Sequence, residues 1–310
     1  MRVSFLGKGG SGKTTVTAAF TKYLSQNNQH VLAIDADLNV HLQNALQLKG
    51  ETKKIGNLFP EISNYIKGKR KVETKFIGTT PPNFDSQFIY TNKSDPFIEK
   101  YCLSHDNISL LTVGTYQQSD LGTACYHGKL KCLESVFHHL IDRKSDWVIT
   151  DSTAGIDNLG TSLIFAHDLN IFVVEPTEKS IQVFKDFLVF SEINNLNTKC
   201  IINKYEAGDE DFISKNIDSS YILGEIPKSK NIKKFEQGDY DSFDDYILEC
   251  EEVFKNVEIE CQKINRDLDV YWQNLIKVHN LNCQSWYNDY YDQKLESQIN
   301  PEFKYDSFYG

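Results

Sequence analysis

The glycine-rich segment GKGGSGKTT, from Gly7 to Thr15, constrains the fold of this chain more than any other feature. It follows the short apolar run Val3–Leu6 and opens a stretch with helical spacing over residues 13–26. A strand, a glycine-rich turn and a helix in that order allow backbone N–H groups to surround phosphates. The helix N-terminus adds positive potential at the same point. The segment therefore predicts a phosphate-binding loop.

The side chains of this loop have the chemistry to act on a bound nucleotide. Lys13 is placed to reach the β- and γ-phosphates, and the Thr14 hydroxyl is placed to bind Mg²⁺. Thr15 can hydrogen-bond the α-phosphate. The predicted nucleotide contacts are Gly9, Gly10, Ser11, Gly12, Lys13, Thr14 and Thr15.

Short apolar runs recur along the chain and are separated by helical stretches. Helices are predicted over 13–26, 129–142 and 178–193. Strands that alternate with helices predict an α/β fold with a doubly wound, mostly parallel sheet flanked by helices. The predicted strands are Val3–Leu6, Val31–Ile34, Leu110–Val113, Trp147–Thr150, Ile171–Val174, Cys200–Ile202 and Tyr221–Ile226.

Two regions interrupt this alternation. Residues 49–107 are polar and weakly periodic, which predicts an inserted subdomain or long loops within a domain spanning 1–240. They contain the basic run KGKRK at 67–71, which is typical of a solvated surface and less often of a site for an anionic partner. Residues 241–310 are predicted to form a C-terminal helical extension packed on that domain.

An apolar stripe runs through the start of this extension. Its members alternate steps of three and four residues and predict one helix over 247–279. The stripe either packs on its own domain or forms a coiled-coil contact between two chains, and Cys and Tyr on the stripe favour the first. It consists of Ile247, Cys250, Phe254, Val257, Cys261, Ile264, Leu268, Tyr271, Leu275 and Val278.

Composition limits the possible partners and the compartment. The net charge of −10 disfavours nonspecific binding to nucleic acid, because phosphates repel an acidic chain. No run of about 18 apolar residues is present, so we expect no membrane span. The seven scattered cysteines predict reduced thiols and a cytoplasmic location.

A second lysine in the phosphate loop, Lys8, points to a particular subclass. The segment resembles the loop of deviant Walker A ATPases of the ParA/MinD superfamily, the CobQ/CobB/MinD/ParA nucleotide-binding type, including its CooC-like members. In that superfamily the early lysine reaches the nucleotide of the partner subunit. The resemblance therefore implies ATP and Mg²⁺ as ligands and a homodimer that sandwiches nucleotide, with Lys8 acting in trans.

Two aspartate motifs match the switches of the same superfamily. DADLNVHL, from Asp35 to Leu42, is similar to the first switch. The resemblance implies that Asp37 positions the attacking water and that Asp35 lies near Mg²⁺. DSTAGIDNLG, which begins at Asp151, is similar to the Walker B motif and second switch. There Asp151 would hold Mg²⁺, and Gly155 would let the backbone follow the γ-phosphate.

Later segments are similar to the part of the family that binds the base. IINK places Asn203 where the family reads adenine, and GEIP places Pro227 in the loop that closes over the base. The implied reaction is slow hydrolysis of ATP to ADP and phosphate, with Lys8, Lys13 and Asp37 as the catalytic residues. The wider pattern also resembles uncharacterised bacterial ParA-type ATP-binding proteins.

The stretch TACYHGKLKC contains a candidate transition-metal site. CooC-like proteins carry a C-x-C pair at this place, whereas this chain has Cys125 and His127. Two copies across a dimer axis would offer two thiolates and two imidazoles, a set that suits Zn²⁺ or Ni²⁺. The alternative is that both residues have ordinary structural roles. Cys132 lies further along the next helix and is expected to pack in the core.

Three functions remain open at this point. In the first, the protein is an ATP-dependent molecular switch that drives metallocentre assembly or metal insertion, as in CooC-like proteins. Alternatively, it positions cargo as ParA and MinD do, a function that the acidic charge disfavours. In the third, it is a nucleotide-dependent switch that binds an unidentified protein partner through the C-terminal extension.

Overall fold

Strands and helices alternate along most of the chain in the computed structural model, which describes residues 1–71, 73–120, 126–155 and 160–309. The strands are β1 Arg2–Gly7, β2 Val31–Asp35, β3 Ile89–Tyr90, β4 Leu103–His105, β5 Ile108–Thr112, β6 Leu140–Ile141, β7 Trp147–Asp151, β8 Leu169–Val174, β9 Thr198–Tyr205 and β10 Ile222–Pro227. The α-helices are α1 Lys13–Gln26, α2 Leu42–Ala45, α3 Phe59–Lys67, α4 Pro96–Tyr101, α5 Tyr126–His139, α6 Glu178–Ile193, α7 Glu210–Asn216, α8 Lys230–Glu236, α9 Ser242–Lys263, α10 Leu268–Asn282 and α11 Asn288–Tyr291.

The main sheet has the strand order β10-β9-β8-β1-β7-β2-β5-β4. Every pairing in it is parallel except that of β4 with β5. Ala33 of β2 illustrates the register, because it is paired with Leu110 on one side and Ile149 on the other. The carboxyl ends of β1, β7 and β2 therefore meet at one edge, where open α/β sheets bind ligands. The predicted doubly wound fold class is confirmed.

Each predicted strand is present, although its ends differ by up to three residues. Apart from β10 at the edge of the sheet, these strands are mostly buried on both faces and therefore read as continuous apolar runs. The sequence missed β3, β4 and β6, which are only two or three residues long. The helix predicted over 129–142 is shifted, because α5 ends at His139 and the chain continues directly into β6.

Residues 49–107 share the core of the sheet. Ile62 and Ile66 of α3 and Phe97 of α4 belong to the same buried cluster as Leu133 and Phe137 of α5. β4 extends the main sheet at its edge. Besides a long loop between α3 and β3, this region therefore has short helices, and these span too few residues to give a sustained apolar pattern in the sequence. The division of the chain at residue 240 stays a prediction.

The single helix predicted over 247–279 is wrong. The chain turns between α9 and α10, because Ile264 leaves the helical conformation with φ of −86° and ψ of 128°. Asp267 then caps α10 by accepting hydrogen bonds from the backbone N–H groups of Asp269 and Val270. The apolar spacing continues across this break and so cannot reveal it.

The apolar stripe of α9 packs on its own chain. Cys250, Phe254 and Val257 are buried in the cluster that contains α1 and the central strands. The rings of Phe254 and Phe20 lie 5.3 Å apart between centroids. Of the two roles considered for the stripe, packing on the domain is the one observed for α9. Within the described residues, none of the helices has both the length and the apolar character needed to cross a membrane.

Candidate functional site

The phosphate loop joins β1 to α1, as the sequence predicts. Gly10 and Gly12 adopt φ of 84° and 90°, a left-handed conformation that residues with a Cβ rarely take. Space is also limited at Gly12, where a Cβ would lie 2.3 Å from Nδ2 of Asn203. The loop and the N-terminus of α1 line one cleft, so backbone N–H groups and the helix dipole act on the same space.

This cleft has a volume of about 560 Å³, which is in the range of small-molecule sites. It is built by segments that are far apart in sequence but meet at the carboxyl edge of the sheet. Beside the phosphate loop, its lining residues are Asp37, Asn39, His41, Ala154, Asn203, Lys204, Pro227, Lys228, Ser229, Ile232, Lys233, Glu236 and Tyr246.

Lys13 is buried beneath the loop and meets two carboxylates. Its Nζ lies 3.0 Å from Asp37 and 2.6 Å from Asp151. Burial acts to lower the pKa of Lys13, but the two carboxylates outweigh it and hold this pKa above its ordinary value. The Thr14 hydroxyl donates to the second oxygen of Asp151 at 2.7 Å. Residues predicted from three separate motifs therefore meet at one point.

The two aspartates at the carboxyl end of β2, Asp35 and Asp37, have different surroundings. Burial acts to raise the pKa of Asp37, but the charge of Lys13 contributes to holding it below its ordinary value. The Asp35 carboxylate is fully buried and accepts hydrogen bonds from the backbone N–H groups of Leu42 and Asp37 at 3.0 and 3.3 Å. Burial, and then the charge of Asp151, raise the pKa of Asp35 to about 7. Asp35 therefore exchanges a proton near neutral pH, whereas Asp37 stays ionised.

The segment after β7 turns back towards the phosphate loop. Gly155 has φ of 76°, and its backbone N–H donates to the carbonyl oxygen of Gly7 at 2.9 Å. Asp151 is buried at the end of the strand; burial raises its pKa, against the opposing charge of Lys13. Residues 156–159 of the predicted second switch lie outside the described residues.

Asn203 and Pro227, which the resemblance places near the base, both line the cleft. The Asn203 side chain is buried and donates to the carbonyl oxygen of Ser11 at 2.7 Å. The amide is therefore held against the phosphate loop, and its contact with adenine stays a prediction.

Lys8 also lines the cleft, but its surroundings differ from those of Lys13. Its ammonium group has no hydrogen-bond or ion-pair partner in the part of the chain that the structure describes. Its charge is therefore not neutralised there, whereas that of Lys13 is held by two carboxylates. The action of Lys8 on a partner subunit stays a prediction.

The residues of the cleft fit a nucleotide phosphate with Mg²⁺. The Ser11 hydroxyl is fully buried beside Gly7 and has no hydrogen-bond partner among the described residues, but Ser11 does not line the cleft. The Thr14 hydroxyl and the Asp151 carboxylate are the hard oxygen ligands that Mg²⁺ prefers. Asp35, the third predicted magnesium residue, is directed at backbone N–H groups instead.

Of the residues considered for the transition-metal site, the structure describes His127 and Cys132. Cys125 lies outside the described residues. His127 is exposed on the first turn of α5 with its ring against Gly160, where a Cβ would be 3.0 Å from Nε2. Cys132 is fully buried in the core, which confirms its packing role. Within the described ranges, no three His, Cys, Asp or Glu side chains are grouped to hold a metal ion.

The basic run at 67–71 is not wholly a solvated surface. Arg70 is buried, and its guanidinium donates to the carbonyl oxygens of Pro81 and Gln298. It therefore ties residues 49–107 to the C-terminal extension. One of the run's four cations is thus directed inward and is not available to an anionic partner.

Two residues beside the cleft were missed by sequence reasoning. Lys204 has φ of 58° and donates to the carbonyl oxygen of Gly10 at 2.7 Å and to Glu175 at 2.6 Å. The Tyr126 hydroxyl donates to the carbonyl oxygen of Ala36 at 2.9 Å. In the sequence, only their position beside predicted site residues could have indicated them. Lys204 follows Asn203 in IINK, and Tyr126 lies between Cys125 and His127.

The fold and the phosphate loop define a P-loop nucleotide-binding protein of the deviant Walker A type. A family model described as the CobQ/CobB/MinD/ParA nucleotide binding domain matches residues 5–239, and the chain belongs to that family.

Among curated relatives, the carbon monoxide dehydrogenase accessory protein CooC of Rhodospirillum rubrum is 30% identical over 246 residues, which cover 79% of this chain and 90% of the relative. An uncharacterized ATP-binding protein of Methanocaldococcus jannaschii is 28% identical over 239 residues, which cover 76% of this chain and 90% of the relative. Among solved structures, the cell division ATPase MinD of Pyrococcus furiosus aligns with a TM-score of 0.53 at 17% identity. The alignment covers 83% of this chain and 98% of the MinD chain. At that identity the likeness shows the fold alone.

Proposed function

We propose that this protein is an ATPase that works as a molecular switch and forms a homodimer around its nucleotides. The observation that carries the proposal is the convergence of Lys13, Asp37 and Asp151 beneath the phosphate loop. A charged lysine, a cleft-lining carboxylate and a magnesium-type carboxylate are the groups that phosphoryl transfer to water needs.

The ion pairs suggest how the site responds to nucleotide. A γ-phosphate competes with Asp37 and Asp151 for the Lys13 ammonium, since all three are anionic. When Lys13 turns to the phosphate, Asp37 is released at the cleft wall and can accept a hydrogen bond from the attacking water. Water then bonds to the γ-phosphorus as the bond to the ADP oxygen breaks, and the water's protons leave with phosphate and solvent. Mg²⁺ held by Thr14 and Asp151 would supply positive charge to the phosphate oxygens.

The proposed dimer gives Lys8 its role. An ammonium group that has no acidic partner in the described part of its own chain is suited to the phosphates of a nucleotide held by the partner. Two copies would each contribute Lys8 across the interface. Hydrolysis would remove the γ-phosphate that holds the switches and so release the dimer.

Mixed dimers test this arrangement. We expect Lys8→Ala and Asp37→Asn each to abolish ATP hydrolysis while ADP binding is retained. If Lys8 acts in trans, a mixed dimer has one intact site, and an equimolar mixture should recover about one quarter of wild-type activity after random pairing. If Lys8 acts in cis, the mixture stays inactive. An inactive wild-type protein that binds ATP would contradict the ATPase proposal itself.

Metallocentre assembly is the favoured use of the switch, because an accessory protein of carbon monoxide dehydrogenase is among the relatives. The candidate ligands are Cys125 and His127 of each subunit. We expect one Zn²⁺ or Ni²⁺ per dimer in protein purified without a histidine tag, and loss of that metal in Cys125→Ser and His127→Ala. Lys144→Ala, which changes an exposed residue far from α5's first turn in sequence, is the control. Absence of stoichiometric metal with and without ATP would contradict this use.

The other two uses are alternatives. A positioning ATPase would need a surface for DNA or membrane, and the buried Arg70 weakens the basic run as such a surface. The protein-interaction switch is favoured by Trp286 and Tyr290 of the C-terminal extension, whose side chains are 72% and 78% exposed. A gel shift with nonspecific DNA in ATP at low salt separates the first alternative from metallocentre assembly, because only a positioning ATPase should retard DNA.

A further inference from the structure

Helix α5 begins at the first switch. Tyr126, its first residue, is buried, and its hydroxyl donates to the carbonyl oxygen of Ala36 at 2.9 Å. Ala36 lies between Asp35 and Asp37, so this hydrogen bond connects α5 to the segment that carries both aspartates. Burial, together with the nearby charges of Asp35, Asp37 and Asp151, raises the pKa of Tyr126, so the phenol keeps the proton that it donates.

The peptide groups of Ala36 are held from two directions. Its backbone N–H donates to the carbonyl oxygen of Asp151 at 2.9 Å, and its carbonyl oxygen accepts from Tyr126. The next residue, Asp37, lines the cleft and meets Lys13. The position of the Asp37 carboxylate is therefore set by the Ala36–Asp37 peptide, and one of the groups that fixes this peptide is the Tyr126 hydroxyl.

The same helix also holds the chain after the second switch. Glu134, two turns further along α5, accepts hydrogen bonds from the backbone N–H and the hydroxyl of Ser162 at 2.6 and 2.8 Å. His138, one turn beyond, contacts the same Ser162 hydroxyl at 3.0 Å. All three residues are buried, so water does not compete for these contacts. One helix thus contacts the first switch and the chain just after the second switch.

The C-terminal extension fixes the far end of α5. Tyr271 and Tyr305 donate hydrogen bonds to the carbonyl oxygens of Phe137 and His138 at 3.1 and 2.6 Å. These are among the last carbonyl groups of the helix, which have no partner within it. The end of α5 distant from the switches is therefore anchored, and Tyr126 is at the end that faces Asp37.

We propose that Tyr126 is a positioning residue for ATP hydrolysis: its hydroxyl fixes the Ala36–Asp37 peptide, and α5 couples this segment to the segment held by Glu134 at Ser162. This inference rests on the proposed ATPase activity. It assigns a role to the tyrosine of the Cys-Tyr-His sequence that does not depend on metal binding by its two neighbours.

Tyr126→Phe tests the proposal, because it removes only the hydroxyl. The matched control is Tyr116→Phe: the two rings pack edge to face at 6.2 Å, and the Tyr116 hydroxyl has no hydrogen-bond partner among the described residues. We expect Tyr126→Phe to lower kcat roughly three- to tenfold, the range that one lost hydrogen bond allows. KM for ATP and Kd for ADP should stay unchanged, and Tyr116→Phe should match wild type in all three.

A purely structural role predicts a different result. Tyr126→Phe would then lower the melting temperature and leave kcat of the folded protein unchanged, which would overturn the proposal. A wild-type protein without ATPase activity would instead contradict the proposed function. Coupling through α5 is tested by combining Tyr126→Phe with Ser162→Ala, because coupled contacts give effects on kcat that do not multiply. Independent, multiplicative effects would overturn the coupling.

Discussion

At the scale of single residues, two carboxylates of the site have different environments, which shift their pKa values in opposite directions. Asp37 lies at the cleft wall beside Lys13 and has a lowered pKa. Asp35, two residues earlier, is fully buried near Asp151, and its pKa is raised to about 7. Carboxylates whose environments separate their pKa values can serve different roles at one pH. Asp37 is suited to hold water as an anion, whereas Asp35 can release a proton when positive charge arrives.

Asp35→Asn should therefore change how stability depends on pH. The pKa of Asp35 is higher in the folded protein than its ordinary value of 3.8, so its contribution is fully present below about pH 4 and is lost as pH rises through about 7. We expect the free energy of unfolding of wild type, relative to Asp35→Asn, to fall on the order of 2 kcal/mol from pH 5 to pH 8. Chemical denaturation at the two pH values measures this difference.

Asp37→Asn is the matched comparison. The pKa of Asp37 is lowered on folding, so its contribution to stability is present above the ordinary value and lost only in acid. We expect no change in its relative stability between pH 5 and pH 8. Equal pH dependence in the two variants would show that the environment of Asp35 is not as described.

At the scale of structural elements, the phosphate loop requires glycine for two separate reasons, which are backbone conformation and close contact with another segment. Gly10 and Gly12 both have positive φ, which disfavours any residue with a Cβ. A Cβ at Gly10 would meet no atom within 4 Å, whereas a Cβ at Gly12 would collide with the Asn203 amide. The two positions therefore separate backbone strain from contact between the loop and β9.

Gly10→Ala should cost about 1–2 kcal/mol of stability from backbone strain alone. Gly12→Ala should cost more, and it should also weaken nucleotide binding further, because the displaced Asn203 amide faces the cleft. Urea unfolding and titration with a fluorescent ADP analogue measure the two effects. Equal losses in the two variants would mean that the contact between Gly12 and Asn203 does not matter for binding.

At the scale of the whole molecule, buried ion pairs join the C-terminal extension to the sheet. Arg266, in the turn between α9 and α10, forms ion pairs with Asp142 and Asp168. Arg2 of β1 is fully buried and meets the same Asp142. The opposing charges, outweighing the effect of burial, hold the pKa of both aspartates below the ordinary value. The helix break thus places an arginine where two buried carboxylates need one.

Arg266→Met should be strongly destabilising, because it leaves Asp168 buried without a cation and Asp142 with one arginine fewer. We expect a loss of about 3 kcal/mol in the free energy of unfolding at pH 7. Arg143→Met replaces an exposed arginine near Asp142 in sequence and should change stability by less than about 0.5 kcal/mol. Similar losses in both variants would contradict the role of the ion pairs.

The sequence by itself determined the parts of this protein that depend on local chemistry. The buried parallel strands appear as apolar runs, since both faces of each strand are covered. The phosphate loop appears as glycines and a lysine at fixed spacing, because backbone N–H groups must converge within a few residues. Asp37, Asp151 and Asn203 were predicted from the resemblance of their segments to the family's motifs, each of which stands at or near the carboxyl end of a buried strand.

Only the tertiary structure decided what depends on contacts between distant segments. The break at Ile264 is invisible in the apolar pattern, and its effect is to bring Arg266 to Asp142 and Asp168. Tyr126 stands between two candidate metal ligands in the sequence, yet its hydroxyl donates a hydrogen bond to a carbonyl group 90 residues away along the chain. Periodicity and spacing describe neighbours along the chain, whereas hydrogen bonds and ion pairs form between whichever groups the packed elements bring together.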